Sequence, residues 1–494
     1  MPIDARTPVI VGVAQLSQHE DAHDAREPVD LMADAGRAAA LDCGKPAILD
    51  ALDSVRVVNL LSWHYRDPAA LVAAQLGAAR DHVETVYTEG GGQIVGTLLA
   101  RTADDIAAGA LDVALLTGAE AWRTRTAYRR AGEPLPWTEQ PEGVAPDRMV
   151  GAPLDMWHPA EVARGITTPV QVYPLFESAL RAAAGRGLAE HSRFLGELWA
   201  RFNAVAVRNP DAWDHTAYTA EQIATPSRAN RMVGFPYTKL LCSNEQVDQA
   251  AALLMCSAER ADALGIARDR WVFPRAASEA RAPNVSERPD LATSPLVRAV
   301  GDALWKLTGV GPDDVAHVDL YSCFPSAVEL QAAELGVDLG RDLTVTGGMR
   351  FAGGPWNNYP MHAVATMTNV LRGDAGALGL VCANGGYVTK LALCLLSSDP
   401  APDGFRSVSA QDAVEAAPRC GVEGEPDGVA TVQASTVMHD RGGEPTDGIL
   451  ACMLPDGRRA WGTVKDPAAL GAMEREETVG RTATLRPDGT ATIE

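Results

Sequence analysis

The chain has 494 residues and a formal net charge of −21 at pH 7, and 46% of its residues are hydrophobic. This length predicts about two to four domains with substantial cores, and the acidity argues against nucleic acid as a main partner, because phosphate contacts need clustered Lys and Arg. No segment approaches the eighteen or more uninterrupted apolar residues of a membrane span, and the N-terminus lacks the basic region of a signal peptide. The eight scattered cysteines form no Cys-x-x-Cys pair and favour free thiols, so we expect a cytoplasmic protein.

The first predicted elements alternate between strands and helices and lead to a triple-glycine turn, Gly90-Gly91-Gly92. A tight strand-to-helix turn is where α/β enzymes commonly mount a nucleophile, because the helix N-terminus stabilises an anion there. The apex of this turn carries no Cys, Ser or Thr. In chain order we predict a strand within 1–15, a helix at 28–42, a strand at 54–62, a helix ending at 78, a strand at 85–88, the turn, a helix over about 94–106 and a strand at 112–120.

The same order of elements recurs later in the chain, around a second glycine turn, Gly353-Gly354-Pro355. The central strand and the turn are 37 positions apart in the first half and 39 in the second. This repeat predicts two related α/β halves, each a sheet with helices on its faces. The second-half elements are a helix at 294–308, a strand at 315–322, a helix ending at 337, the turn, a helix over about 360–371 and a strand at 377–383.

Two further regions break this pattern. The segment over about 122–274 is rich in Trp, Pro, Arg and His and predicts an insertion over one face of the core, with helices around 170–209 and 244–264. After a linker near 398, short alternating runs joined by Asp-Gly and Gly-Gly turns predict a small β module. The predicted domains are therefore a first half over 1–275 that includes the insertion, a second half over 276–398 and a C-terminal module over 408–494.

Two segments carry a resemblance to the thiolase superfamily. Residues 235–259, FPYTKLLCSNEQVDQAAALLMCSAE, resemble the thiolase segment that ends in Asp-Gly-Ala-Ala-Ala. Residues 383–390, ANGGYVTK, are similar to the closing motif of the thiolase-like proteins type 1. Within the superfamily the chain is similar to the thiolase-like proteins type 1 of mycobacteria and relatives, a group next to the sterol-carrier-protein thiolases that has an additional C-terminal domain. The resemblance covers about residues 5–398 and implies the thiolase fold. That fold is α/β, with two similar βαβαβαββ halves layered α/β/α/β/α, here with a loop-domain insertion and a small, mainly β C-terminal module.

The resemblance also assigns catalytic positions. Thiolases make or break a carbon–carbon bond beside an acyl-CoA thioester, with a nucleophilic Cys, an activating His, a second Cys and oxyanion donors. The nucleophile's position falls at Gly92, and the His of the Gly-His-Pro motif falls at Gly354. The Asn or His of the Asn-Glu-Ala-Phe or His-Asp-Cys-Phe motif falls at Tyr321, and the second Cys falls near Cys382. We therefore do not expect ordinary thiolase chemistry, because the acyl carrier and its base are missing.

Other residues offer replacements for the missing groups. Cys323 or Cys382, each near the end of a strand, could pair with His362 at the start of a helix. The alternative is that both cysteines are small buried hydrophobes and His362 is an ordinary helix residue. Basic and aromatic residues could hold a CoA-like ligand, or they could form a surface salt-bridge network. These candidate ligand-binding residues are Trp122, Arg123, Arg125, Arg228, Arg231, Trp356 and Asn357.

Three functional hypotheses follow. The first is a degenerate thiolase-like protein of the acyl-CoA acyltransferase class, in lipid metabolism, that binds an acyl-CoA-like or lipid-like ligand. The second is an active acyltransferase with relocated Cys and His residues, and the third is an interaction protein whose C-terminal module contacts a partner. We expect no cofactor beyond CoA or acyl-CoA as a ligand. We also expect no metal site, because the His-Glu-x-x-His match at 19–23 follows a strand among acidic residues and predicts a solvated loop.

Overall fold

The computed structural model describes residues 3–78 and 83–494. In the described residues the strands are β1 (Pro8–Ser17), β2 (Ser54–Val57), β3 (Glu84–Thr88), β4 (Val113–Ala121), β5 (Arg148–Val150), β6 (Met232–Gly234), β7 (Tyr237–Thr238), β8 (Asp248–Ser257), β9 (Phe273–Arg281), β10 (His317–Asp319), β11 (Leu378–Gly385), β12 (Lys390–Ser397), β13 (Arg406–Ser409), β14 (Gly428–His439), β15 (Pro445–Met453), β16 (Arg459–Val464), β17 (Thr482–Leu485) and β18 (Ala491–Ile493).

The helices of the same residues are α1 (Pro28–Asp42), α2 (Pro68–Leu76), α3 (Ile94–Ala107), α4 (Trp122–Ala131), α5 (Pro159–Val162), α6 (Pro169–Ala183), α7 (Leu188–Arg208), α8 (Ala220–Ala224), α9 (Ala258–Ala263), α10 (Pro295–Thr308), α11 (Pro325–Leu335), α12 (Gly348–Phe351), α13 (Tyr359–Gly373), α14 (Gln411–Glu415) and α15 (Pro467–Met473). Within this part of the chain, none of them combines the length and hydropathy that a bilayer crossing requires.

Local sequence explains where several helices begin and end. Proline occupies the first turn of α1, α2, α10 and α11, where its fixed φ suits the helix and its missing N–H costs nothing. The Asp67 carboxylate accepts a hydrogen bond from the N–H of Ala70 at 3.0 Å and caps α2. Gly309 and Gly336 end α10 and α11 in the left-handed conformation.

The first two sheets have the same internal arrangement. In the first sheet, β2 is parallel to β4, β4 is antiparallel to β8, and β8 is antiparallel to β1. In the second sheet, β10 is parallel to β11, β11 is antiparallel to β12, and β12 is antiparallel to β9. β3 and β5 extend the first sheet, and β13 extends the second. The predicted internal repeat is thus present as a repeat of strand order and strand sense.

Helices and sheets alternate in five layers. One hydrophobic cluster joins α1 and α2 to the outer face of the first sheet, and a second contains α3 and α13 between the two sheets. A third cluster joins α10 and α11 to the outer face of the second sheet and continues into α6 and α7 of the insertion. The predicted α/β fold class, with its α/β/α/β/α layers, is confirmed.

Two details differ from the sequence expectations. The expected helix around 244–264 is mostly strand β8, whose ten residues are all buried between β1 and β4 in the first sheet. The predicted insertion over 122–274 therefore includes a core strand. In the second half, the described residues before the turn at 353–355 form no counterpart of β3, because the N–H groups of Val345 and Thr346 donate to the Asp319 carboxylate instead of to a neighbouring strand.

A third sheet forms most of the C-terminal module. Its strand order is β16-β15-β14-β17-β18, and β6 of the insertion pairs with β14 while β7 pairs with β6. The N–H of Phe235 donates to the carbonyl of Val437 at 2.8 Å beside this pairing. The insertion and the C-terminal module therefore share a sheet, while the domain boundaries remain predictions.

Candidate functional site

The first glycine turn joins β3 to α3 between the two halves. Gly91 has a φ of 122°, which only glycine adopts without strain, and its N–H donates to Asn357 Oδ1 at 3.0 Å. The Asn357 amide in turn donates to the Asn59 carbonyl at 3.0 Å. The predicted ligand residue Asn357 therefore holds the turn in place from the second half of the molecule.

Gly92, the predicted position of the nucleophile, is closely surrounded by other groups. A Cβ atom built at Gly92 would lie 2.3 Å from the Asn384 carbonyl oxygen and 2.5 Å from the Tyr321 hydroxyl. Both distances are well below normal van der Waals contact, so a cysteine does not fit here without movement of the backbone at Asn384. Glycine at position 92 therefore fits the narrow space between the Asn384 carbonyl and the Tyr321 hydroxyl.

Tyr321 lies on the loop after β10, and the side chain of Gln331 on α11 holds its backbone. Gln331 accepts the Tyr321 N–H at 3.0 Å and donates to the Tyr321 carbonyl at 2.8 Å. The ring packs edge-on against Tyr359, with 5.7 Å between the centroids. Burial raises the pKa of the Tyr321 phenol, so the hydroxyl is neutral and available as a hydrogen-bond donor.

The second glycine turn is also closely surrounded. Gly353 has a φ of 104°, and a Cβ atom there would lie 2.0 Å from Gln249 Oε1. The N–H of Gly354 donates to the Asn244 carbonyl at 2.9 Å, and a Cβ at Gly354 would lie 3.1 Å from that oxygen and 3.3 Å from the Met349 carbonyl oxygen. A histidine at Gly354 would require these two carbonyl groups to shift.

The proposed replacement residues are buried and do not bond to one another. Burial raises the pKa of the Cys323 thiol to about 12 and that of Cys382 well above its usual value. Burial lowers the pKa of His362 to about 3, and its Nδ1 is 2.9 Å from Gln15 Oε1. Among the described residues, no hydrogen bond joins His362 to either thiol. Neutral thiols without a nearby base do not form the thiolate that nucleophilic chemistry needs.

Part of the aromatic and basic cluster lies beside the second glycine turn. The rings of Trp122 and Trp356 are 5.3 Å apart, and the Arg125 guanidinium lies 4.6 Å from the Trp122 ring centroid. Trp356 has a φ of 45°, which is unusual for a bulky residue. Arg123 is used structurally, because it pairs with the buried Asp248 at 3.3 Å.

The remaining two predicted ligand residues lie elsewhere. Arg228 is exposed, and the Arg231 guanidinium donates to the Met232 and Asp440 carbonyls, at 2.9 and 3.4 Å, at the C-terminal module. In the part of the chain that the structure describes, no hydrogen bond or ring contact connects either arginine to Trp122. The structure thus separates the predicted basic residues into two groups.

A cavity of about 300 Å³ opens beside the first glycine turn. Gln93, the residue after the apex, lines it together with Thr97 and Arg101 of α3 and with Arg281 of β9. Gln93 is only 8% exposed, and its buried side-chain Oε1 has no hydrogen-bond partner among the described residues. Sequence reasoning missed Gln93, although its place next to the glycine apex was a usable signal.

Comparisons with known proteins agree with this geometry. The family model described as the thiolase-like protein type 1 additional C-terminal domain matches residues 409–490. The chain is 31% identical to a monomeric SCP2-thiolase-like protein type 1 (STLP1) from Mycobacterium smegmatis, whose crystal structure matches over 100% of both chains with a TM-score of 0.85. The two-half fold with its glycine turns therefore defines a thiolase-fold protein. Within that class, the chain belongs to the thiolase-like proteins type 1, as the sequence predicted.

Two more distant similarities were found. The structure of the Ltp2-ChsH2(DUF35) aldolase contains a chain 20% identical, with a TM-score of 0.60 over 80% of this chain and 98% of that chain, which is a likeness of fold. The benzoylsuccinyl-CoA thiolase subunit BbsB of Thauera aromatica is 30% identical over 133 residues. That match covers 27% of this chain and 32% of that protein, so the chain aligns with about a third of this relative's length.

Proposed function

We propose that this thiolase-like protein binds an acyl-CoA-like or lipid-like ligand without forming a covalent acyl intermediate. The observation that carries the proposal is the filling of the nucleophile's position at Gly92 by the Tyr321 hydroxyl and the Asn384 carbonyl. Thiolytic chemistry needs a thiolate that carries the acyl group, and this arrangement leaves no room for one. The relocated pair of the second hypothesis gains no support from the partners of His362.

The groups around the apex suit non-covalent recognition of a carbonyl compound. Tyr321 offers a neutral hydroxyl that can donate to a carbonyl oxygen, and the buried Gln93 Oε1, which has no partner among the described residues, can accept from an amide N–H of the ligand. Such a group costs free energy unless a ligand or water satisfies it. The adjacent cavity of about 300 Å³ has the volume of a small-ligand site. We place the acyl end of the ligand in this cavity, whose polar lining includes Gln93, Thr97 and Arg101.

Calorimetric titration with acetyl-CoA tests this proposal. Ala152 is exposed and lines the cavity, so Ala152→Trp should fill it and weaken binding by more than about tenfold, which corresponds to a loss of about 1.4 kcal/mol of binding free energy. Ala131→Trp at the exposed end of α4 is the matched control and should bind as the wild type does. Intact-mass measurement of the mixture should show no acetylated protein.

Two other results would support the alternative hypotheses. Turnover of acetoacetyl-CoA that is lost in Cys323→Ala or Cys382→Ala would show an active enzyme with relocated groups and would contradict the proposal. A lack of binding at millimolar acetyl-CoA would instead favour a protein that acts through contacts of its C-terminal module. The acyltransferase class, the setting in lipid metabolism and the cytoplasmic location remain proposals in either case.

A further inference from the structure

Three ionisable side chains from three different helices meet in the interior, away from the glycine turns. Glu177 lies on α6, His191 on α7 and Glu329 on α11, and they are 0%, 1% and 5% exposed. One imidazole nitrogen and one oxygen of each carboxylate lie within 4.8 Å of one another. The sequence predicted no metal site, and it held no hint of this cluster because Glu177 and Glu329 are far apart along the chain.

The hydrogen bonds of the cluster leave it incomplete. His191 Nε2 is 2.7 Å from Glu177 Oε1, and the Tyr237 hydroxyl donates to Glu177 Oε2 at 2.5 Å. Arg186 donates to Glu329 Oε2 at 3.3 Å. The other carboxylate oxygen, Glu329 Oε1, is buried and has no hydrogen-bond partner. A buried oxygen facing a second carboxylate needs a positive centre between them.

The ion pairs of the cluster also favour the binding of a cation. Arg186 pairs with Glu329 at 3.3 Å, whereas Glu177 has His191 as its partner at 2.7 Å, and no arginine of the described residues lies within ion-pair distance of Glu177. Imidazole, the side chain of His191, is the side chain that most often binds metal ions in proteins, and it lies in the same cluster as the unpartnered Glu329 Oε1.

We propose that Glu177, His191 and Glu329 form a binding site for one divalent transition-metal cation. The donor set of one imidazole and two carboxylates suits Zn²⁺ and its neighbours. Binding replaces the Nε2–H···Oε1 hydrogen bond, and the imidazole proton then lies on Nδ1. The cation also displaces to solvent any proton that the two carboxyl groups share.

A small cavity beside the cluster supplies a hydrogen-bond partner for the second ring nitrogen of His191. A cavity of about 20 Å³, large enough for one water molecule, is lined by Glu177 and His191. Ser435 and Thr478 of the C-terminal module line its other side. A water there can accept the Nδ1–H, as metal-bound histidines require of their outer nitrogen. The site would join two helices of the insertion to the second half of the molecule, so its role is structural.

Metal analysis of the full-length protein, purified without a histidine tag, tests the proposal. After dialysis against Zn²⁺ and then buffer, we expect about one zinc per chain by elemental analysis, and Co²⁺ should give a visible absorption band in its place. Glu329→Gln and His191→Gln should each weaken Zn²⁺ binding by more than about 100-fold, since even outer partners of metal ligands contribute 10–100-fold. Glu190→Gln, an exposed glutamate next to His191, is the control and should keep the zinc.

The same variants distinguish a cation from a shared proton. Glu329→Gln imitates a protonated carboxyl group. If a proton holds the cluster together, this variant keeps the melting temperature of the wild type, Zn²⁺ has no effect on either protein, and the proposal is wrong. If a metal ion holds the cluster together, Zn²⁺ raises the melting temperature of the wild type and of Glu190→Gln but not that of Glu329→Gln. The reason is that a ligand that binds only the folded state stabilises that state.

Discussion

At the scale of single residues, the site is defined by how completely the glycine positions are enclosed. Gly92 is bounded by the Asn384 carbonyl and the Tyr321 ring, and Gly353 is bounded by Gln249. A turn that had only lost its reactive side chain would show a gap of the size of that side chain. Here a tyrosine hydroxyl and a backbone carbonyl occupy the space, so the neighbours have adapted to glycine.

This enclosure gives a stability prediction. Gly92→Ala should lower the free energy of unfolding by about 1–3 kcal/mol, as overpacking of a tight interior does. Gly373→Ala at the end of α13 is the control, because nothing lies within 4 Å of its added Cβ. The control should be neutral or stabilising by up to about 1 kcal/mol. Equal urea denaturation midpoints for both variants would mean that the space at Gly92 is open.

At the scale of elements, a buried ion network ties α3 to the strands before it. Arg56 of β2 is fully buried and pairs with Asp105 of α3 at 2.7 Å and with Glu84 of β3 at 3.4 Å. Arg148 of β5 pairs with the same two acids, at 2.8 Å and 3.2 Å. The helix that begins at the glycine turn is thereby fixed to three strands of the first sheet.

Removing the buried Arg56 guanidinium should lower the free energy of unfolding. Arg56→Met should destabilise the protein by about 3 kcal/mol, because it leaves the half-buried Asp105 and Glu84 carboxylates with Arg148 as their one remaining partner among the arginines described above. Arg37→Met removes an exposed arginine that pairs with Asp34 and should cost less than about 1 kcal/mol. Chemical denaturation of both variants measures the difference, and adding Asp105→Asn to Arg56→Met should recover part of the loss. Similar costs for the two single variants would contradict this account of the network.

At the scale of the whole molecule, the C-terminal module is part of the packed core. Trp461 of β16 is 1% exposed and donates to the Ser286 hydroxyl at 2.9 Å. The buried Arg459 donates to the Arg288 carbonyl at 2.8 Å, and β14 pairs with β6 of the insertion. These contacts join the module both to the second half and to the insertion, so we expect the chain to unfold in one transition.

Trp461→Ala tests this coupling. The substitution should cost about 3–5 kcal/mol, as loss of a buried tryptophan does, and should separate the melting of the C-terminal module from that of the two halves in a calorimetric scan. Val429→Ala is the control, since Val429 lies on β14 of the same module and is 55% exposed. It should leave a single transition, and a single unshifted transition in Trp461→Ala would contradict the coupling of the module through Trp461.

Local sequence patterns were enough to predict most helices and strands of the internal repeat. The helix predicted at 28–42 is α1, and the predicted helix at 294–308 begins one residue before α10, because first-turn prolines and caps mark helix ends in the sequence itself. The strand β8 was mistaken for a helix because Ala, Leu and Met favour helices, whereas its position between β1 and β4 depends on residues far away in the chain.

The family and the two-half fold could be read from the sequence alone, since they follow from residue identity and order, and the assignment of the nucleophile's position to Gly92 stays a prediction. Only the tertiary structure decided what surrounds Gly92, where the arginines lie and that Glu177, His191 and Glu329 meet. Burial and side-chain contact are set by segments hundreds of positions apart. No local spacing in the chain encodes such contacts, so the chemistry of both candidate sites became visible only after folding.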